Sequence, residues 1–226
     1  MNITPDTNAR WRESALGTLT ERLEQRAIFT LVGDPSGMMV LDVGCGDGVY
    51  AVEVSRRGGM VVGLDRSLPM LEAARTRAAA SRAGVGWCQG VAQSLPFRDA
   101  SFDLVLMVTT LCWAPEPILI LREIGRVVRP GGAVIVGELG RWSLWALARR
   151  FRGWLGSRAW SGAHFWTTGE LREYLSCAGL RVSDIRGAVY YPPSATLAGM
   201  MARMEGAWAH LGGYGAAFIA VKSTKE

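Results

Sequence analysis

The sequence predicts an α/β fold, a largely parallel sheet covered by helices and finished by an antiparallel hairpin. Three observations predict it. Short β-type runs alternate with helix-type stretches through most of the chain. One of those runs opens directly into closely spaced glycines ahead of a helix, as strand-to-helix turns do. The 226 residues, 49% apolar and 20% charged, are enough to bury one core without staples.

The elements follow in order. Trp11 to Val32 reads as a helix, with Leu16, Leu19, Leu23, Ala27 and Leu31 on one stripe. Gly33-Asp34-Pro35-Ser36-Gly37 ends it. Met38–Val43 is a buried strand, followed by the glycine turn and a helix over Tyr50–Arg57. Met60–Leu64 is the second strand, ending at Asp65, and Leu68–Arg82 an alanine-rich helix with Pro69 in its first turn. Val85–Gln89 and Phe102–Val108 are strands three and four. Pro117–Val128 is helical and stops at Arg129-Pro130-Gly131-Gly132, before a fifth strand over Ala133–Gly137. Arg141–Gly156 is a helix rich in tryptophan and arginine. Thr167–Ala178 is a helix that opens with capping-box spacing, Thr167 to Glu170. Leu180–Arg186 and Ala216–Lys222 are the closing strands, with a helix near Leu197–His210 between them. No internal repeat or low-complexity linker interrupts this, so 1–226 reads as one domain.

Composition excludes several functions. Cys45, Cys88, Cys112 and Cys177 are scattered, without C-x-x-C spacing, and only His164 and His210 accompany them. A disulfide framework and a metal centre are therefore not expected, and a reducing cytoplasm is. Met1–Arg12 lacks the apolar stretch of a secretion signal, and uninterrupted apolar runs such as Leu104–Val108 are far short of a membrane span. The formal charge of +5 comes almost wholly from arginine.

Val40-Leu41-Asp42-Val43-Gly44-Cys45-Gly46-Asp47-Gly48 is the most informative stretch. Glycines at 44, 46 and 48 let the backbone approach a ligand, and the helix that follows presents free N–H groups. A dinucleotide fingerprint wants glycine or alanine at position 49, where Val49 stands, and a P-loop wants a lysine that is missing. The chain matches D-x-G-x-G-x-G in full, and Asp65 sits about 20 residues downstream, at a strand end, where an acid accepts ribose hydroxyls.

Here the sequence resembles the class I S-adenosylmethionine-dependent methyltransferases. Gln93-Ser94-Leu95-Pro96-Phe97 with Ser101-Phe102-Asp103-Leu104-Val105, and Leu121–Gly132, resemble the small-molecule branch that includes ubiquinone and menaquinone methyltransferases. The resemblance covers roughly residues 38 to 138. It implies a Rossmann-like three-layer sandwich of seven strands in the order 3-2-1-4-5-7-6, strand 7 antiparallel. It divides the domain into an N-terminal helical cap (1–37), a cofactor-binding core (38–140), a Trp/Arg-rich insert in the place where a substrate lid can sit (141–166) and a C-terminal helix with hairpin strands (167–226). Its cofactor is S-adenosyl-L-methionine. By the same resemblance Asp42, Gly44, Cys45, Gly46, Asp47 and Gly48 surround the methionine part, Asp65 holds the ribose, Arg66 and Met70 lie near the adenine, and Thr109 lines the methyl-transfer channel. The family's acid after the glycine of strand three is absent, since Gly90 is followed by Val91. Adenine recognition at Val91, Ala92 and Gln93 then rests on backbone and apolar packing.

Methyl transfer from a sulfonium needs alignment and water exclusion, contributing up to ~7–11 kcal/mol, and a base only for a protonated acceptor. His164 is the candidate base; beside Phe165 and Trp166 it also reads as a packing residue. The signatures of DNA and protein-arginine methyltransferases are missing, which leaves a small-molecule or lipid-like acceptor. Trp11, Trp113, Trp142, Trp145 and Tyr190 are the candidate acceptor contacts. Residues 141–166 hold Trp142, Trp145, Trp154, Trp160 and Trp166 with Arg141, Arg149, Arg150, Arg152 and Arg158, and no acid stands between Glu138 and Glu170. Leu144, Leu147, Ala148, Phe151 and Leu155 form a stripe with Arg149, Arg150 and Arg152 off it. Three readings stay open for it: a packed helix with a solvated basic face, an acceptor lid, and peripheral membrane contact through 141–158. A cofactor-binding regulatory subunit without catalysis and an RNA methyltransferase remain as rivals.

Overall fold

Five parallel strands bring their carboxyl ends to one edge of a seven-stranded sheet in the computed structural model, which describes residues 5–154, 162–208 and 212–226. Two helices, α1 (Pro5–Glu13) and α2 (Ala15–Val32), precede β1 (Met39–Val43). The chain then alternates through α3 (Val49–Arg56), β2 (Met60–Asp65), α4 (Leu68–Ser81), β3 (Val85–Gln89), β4 (Phe102–Val108), α5 (Pro117–Val127) and β5 (Val128–Leu139). Next come α6 (Leu144–Trp154), α7 (Thr168–Cys177), β6 (Leu180–Ala188), α8 (Ala195–Met201), the single turn α9 (Glu205–Trp208) and β7 (Phe218–Lys225). Leu155, Arg158, Trp160 and His210 lie outside the described residues.

The strand order is β3-β2-β1-β4-β5-β7-β6. β1 to β5 run parallel, and β7 is antiparallel to both neighbours. The two-residue period of a strand explains the layers. Along β4, Val105 and Met107 face one core with α5 and α7, while Leu104, Leu106 and Val108 face the other with α2 and α3. A sheet buried on both faces reads as continuous apolar runs, which is how β1 and β4 look in sequence.

Local signals account for the helix starts. Ser67 Oγ accepts the Met70 N–H ahead of α4, and Thr167 closes a capping box with Glu170 ahead of α7. The expected helix over Trp11–Val32 is instead two. Ser14 is extended, its Oγ accepts the Gly17 N–H at 3.0 Å, and a Cβ at Gly17 would stand 1.9 Å from the Trp11 carbonyl oxygen. The apolar stripe begins at Leu16, just beyond that elbow, so periodicity does not mark it. Strand five is longer than Ala133–Gly137 because Val128 pairs with Phe102 ahead of a bulge over 129–132, and Glu138 and Leu139 go on pairing with β7. The region expected as one helix near Leu197–His210 is broken into short turns as far as Trp208.

Candidate functional site

The sheet order reverses between β1 and β4, the crevice where open α/β sheets hold ligands. The glycine turn after β1 lies there. Gly44, Gly46 and Gly48 have φ of 71°, 54° and 79°, values side chains rarely adopt. The Gly44 and Cys45 N–H groups donate to the Leu64 carbonyl at 2.7 and 3.0 Å, tying the turn to the end of β2. Gly46 N–H donates to Asp65 Oδ2 at 2.9 Å, and Ser67 N–H to Asp65 Oδ1 at 2.8 Å. Asp65 thus braces the loop while each oxygen keeps a lone pair for a further donor.

Space decides which glycine faces a ligand. A Cβ on Gly44 would stand 2.3 Å from Thr110 Oγ1, and one on Gly48 2.8 Å from the Trp87 ring, whereas one on Gly46 meets nothing within 4 Å. Beneath the turn, Asp42 is 2% exposed. Burial raises its carboxyl to about 7 against the stabilising Ala51 N–H, and its Oδ2 has no hydrogen-bond partner. A buried acceptor of this kind calls for a donor. An amino-acid ammonium, directly or through water, meets that need, and the open Gly46 amide region accommodates the rest of an aminoacyl nucleoside. The residues therefore fit S-adenosylmethionine.

The remaining cofactor candidates divide. Met70 is buried, its N–H on the Ser67 cap. Arg66 is exposed and its carbonyl accepts from Gln89 Nε2. Val91 is 48% exposed and pairs with Ser94 in a short bridge, Gln93 is exposed, and Ala92 packs on the core. The Cys45 thiol is packed close to Gly63, and burial pushes it far above the usual thiol range, so it fills space instead of reacting. Asp47 is engaged within the chain. Its carboxylate is gripped by Arg12 of α1 and by Arg77 of α4, the latter at 2.8 Å, and Arg77 Nε also holds the Asp47 carbonyl. This ties the N-terminal cap to the cofactor turn, a link between residues far apart in sequence.

The turn after β4 is organised by Glu138, which was not among the sequence candidates. It is fully buried at the end of β5 and accepts the N–H groups of Thr110, Leu111 and Cys112 at 3.0, 2.7 and 3.1 Å. Burial raises it to about 7 despite these bonds. The turn it holds begins at Thr109, which has φ of 49° and donates its N–H to Gly137. Thr110 then presses its side chain against Gly44.

His164 joins the same turn through its N–H to the Cys112 carbonyl at 2.8 Å. Its ring lies 4.4 Å from that of Trp166. Partial burial holds the imidazole below its usual pKa, so it is neutral near neutral pH. Arg141 Nη2 is 3.2 Å from its Nε2. Arginine only donates, so that lone pair is committed to Arg141, which also pairs with Glu170 at 2.7 Å.

Of the aromatic candidates the structure joins two. Trp11 and Trp145 meet edge-to-face at 5.9 Å, linking α1 to α6. Trp145 is nevertheless a core residue, 6% exposed with its N–H on the Tyr191 carbonyl, so only Trp11 of this pair offers a broad free face. Trp113 is half-buried against the core and Trp142 is exposed. Tyr190 packs against Trp208, and its hydroxyl occupies the space beside Gly187. Arg149, which one of the open readings puts on a solvated basic face, turns inward. Its guanidinium lies 5.1 Å over the Trp145 ring and faces Glu24, and burial lowers it to about 10. No group of three or more His, Cys, Asp or Glu able to hold a metal occurs among the described residues.

Known proteins match this geometry. Residues 41–136, from β1 through most of β5, match a family model described as a methyltransferase domain. An uncharacterised protein of Mycobacterium tuberculosis is 30% identical over 219 residues, 96% of this chain and 70% of that protein. A ubiquinone biosynthesis O-methyltransferase of Xanthomonas axonopodis pv. citri is 30% identical over 165 residues, 70% of this chain and 69% of that enzyme. A crystal structure from Thermotoga maritima, described as an S-adenosylmethionine-dependent methyltransferase and possible histamine N-methyltransferase, superposes with a TM-score of 0.73 at 26% identity, covering 98% of this chain and 95% of that one.

Proposed function

The chain belongs to the class I S-adenosylmethionine-dependent methyltransferases, and from that premise we propose that it methylates a small apolar acceptor of quinone-like or lipid-like character, met in part at a membrane surface. The observation that carries this reading is the apolar junction of Trp11 and Trp145, placed next to the cofactor turn by the Arg12–Asp47 pair. An acceptor entering beside the turn meets indole surface first, and rings of this size favour flat apolar partners. The relative from Xanthomonas, named for ubiquinone biosynthesis, supports the same class.

Bound S-adenosylmethionine supplies a methyl group on a positively charged sulfur. The chain's own residues do the rest. Asp42 and the open space beside Gly46 hold the aminoacyl end, and Asp65 orients the ribose while bracing Gly46. Thr110, fixed by Glu138, sets the wall between cofactor and acceptor. The cap closes over them through Arg12 and excludes water. Alignment and dryness of this sort contribute up to ~7–11 kcal/mol of barrier lowering. His164 tunes this wall by packing and needs no proton transfer, because its lone pair is already engaged by Arg141.

The test is to incubate the protein with methyl-labelled cofactor and a lipid-rich cell extract, then follow the label. The reading expects it in the organic phase. Label that appears only in water-soluble metabolites or in RNA overturns the acceptor class.

A further inference from the structure

A helix buries its apolar stripe against its own protein unless something else covers it. α6 does the reverse. Trp145 and Ala146 are its buried residues, and Arg149 also turns inward. Leu144, Leu147, Phe151 and Trp154 lie on the other side, 54%, 64%, 58% and 82% exposed. At 3.6 residues per turn these four fall within about 80° of the helix circumference, opposite Trp145 and Ala146. The Phe151 and Trp154 rings are 6.1 Å apart and form one surface. Trp142, just before the helix, adds a further ring at 59% exposure.

Charge says what covers this face. Arg150 and Arg152 are both exposed and flank the apolar strip on either side, and residues 139–169 contain no acid. An acidic flank would be repelled by a negatively charged bilayer, whereas this one is drawn to it. Arginine stems lie along apolar surface with their heads among phosphates, and indole rings settle at headgroup depth. A contiguous solvent-facing apolar strip with cationic edges is the pattern of a helix lying in an interface.

We propose that α6 docks on anionic phospholipid bilayers, its Leu144–Leu147–Phe151–Trp154 face entering the headgroup region with Arg150 and Arg152 contacting phosphates. Docking would present the acceptor side of the site to the lipid phase, because Trp145 on the inner face of the same helix touches Trp11 of the cap. Its purpose rests on the apolar-acceptor reading above, but its occurrence does not.

The test is co-sedimentation of the full chain with phosphatidylcholine vesicles, with and without phosphatidylglycerol, in the absence of cofactor and acceptor. The proposal expects sedimentation with the anionic vesicles, weaker sedimentation with phosphatidylcholine alone, and release as salt rises. The double variant Leu147→Glu/Phe151→Glu should lower partitioning about tenfold or more, and Arg150→Ala/Arg152→Ala roughly fivefold for each charge. All these side chains are solvent-exposed, so S-adenosylhomocysteine affinity measured by calorimetry should stay unchanged and report an intact fold. A wild-type chain that stays in the supernatant with anionic vesicles overturns the proposal. So does partitioning indifferent to the Leu147/Phe151 change, or a stable dimer that this change dissolves. Lost sedimentation with organic-phase methylation intact rejects docking alone, whereas sedimentation with methylation confined to water-soluble acceptors rejects the acceptor class alone.

Discussion

Asp42 and Glu138 are carboxylates buried at the ends of adjacent layers of the site, each raised to about 7 by desolvation from ordinary values of 3.8 and 4.5. The sign of their effect follows. Between about pH 4 and pH 7 the folded chain holds protons that the unfolded chain has released, so their stabilising contribution is complete below pH 4 and lost as pH rises through 7. Thermal unfolding of Asp42→Asn should therefore depend less on pH than the wild type across that window, by at most about 1.4 kcal/mol per pH unit. Cofactor affinity moves the other way, because a cation seated on Oδ2 favours the ionised carboxylate. Calorimetric titration should show binding weakening as pH drops below about 7, and a flat profile would remove Asp42 from the site. Glu138→Ala orphans three N–H groups, each costing about 1–3 kcal/mol when left unpaired. It should lower unfolding stability by several kcal/mol, and Glu138→Gln, which keeps one carbonyl oxygen, should recover part of the loss. Neither residue stands out by its neighbours in sequence. Asp42 is legible only through the glycine spacing after it, and Glu138 looks like any polar strand end until three facing amides are seen.

Between elements the informative joint is the elbow of α1 and α2. Gly17 permits the chain to fold back on the Trp11 carbonyl, and Arg12 then reaches Asp47. Arg12→Ala leaves Asp47 to Arg77 alone and frees the cap from the cofactor turn. Breaking one partner of a partly buried charge pair typically costs 1–3 kcal/mol, which predicts roughly a tenfold rise in KM for the cofactor. Limited proteolysis near Ser14 should accelerate in the same variant unless cofactor is added. An unchanged KM would mean that the cap is packed without serving the site. Periodicity predicted this region as one helix because the stripe from Leu16 onward is unbroken. Periodicity is equally silent on which side of a helix the core lies, which is why the α6 stripe was readable while its exposure, and the inward turn of Arg149, were not. Caps carry more local information: the Thr167–Glu170 box places the start of α7 as the sequence suggests.

For the whole molecule, strand order follows from a few rules applied to legible pieces. Apolar runs at β1 and β4, glycines after β1, and acids at strand ends locate the crevice before any coordinates are known. What remained illegible is long-range by nature: Arg12 with Asp47, Glu138 with the turn after β4, Glu24 with Arg149. The account as a whole requires that the glycine turn and Asp65 bind an adenosyl ligand, and one titration tests it most directly. Calorimetry of S-adenosylhomocysteine should give saturable binding to the wild type, weakened about tenfold or more in Asp65→Ala, where the loop amide of Gly46 and the ribose contact are lost together. Absence of heat at millimolar ligand, or an affinity indifferent to Asp65→Ala, would contradict it.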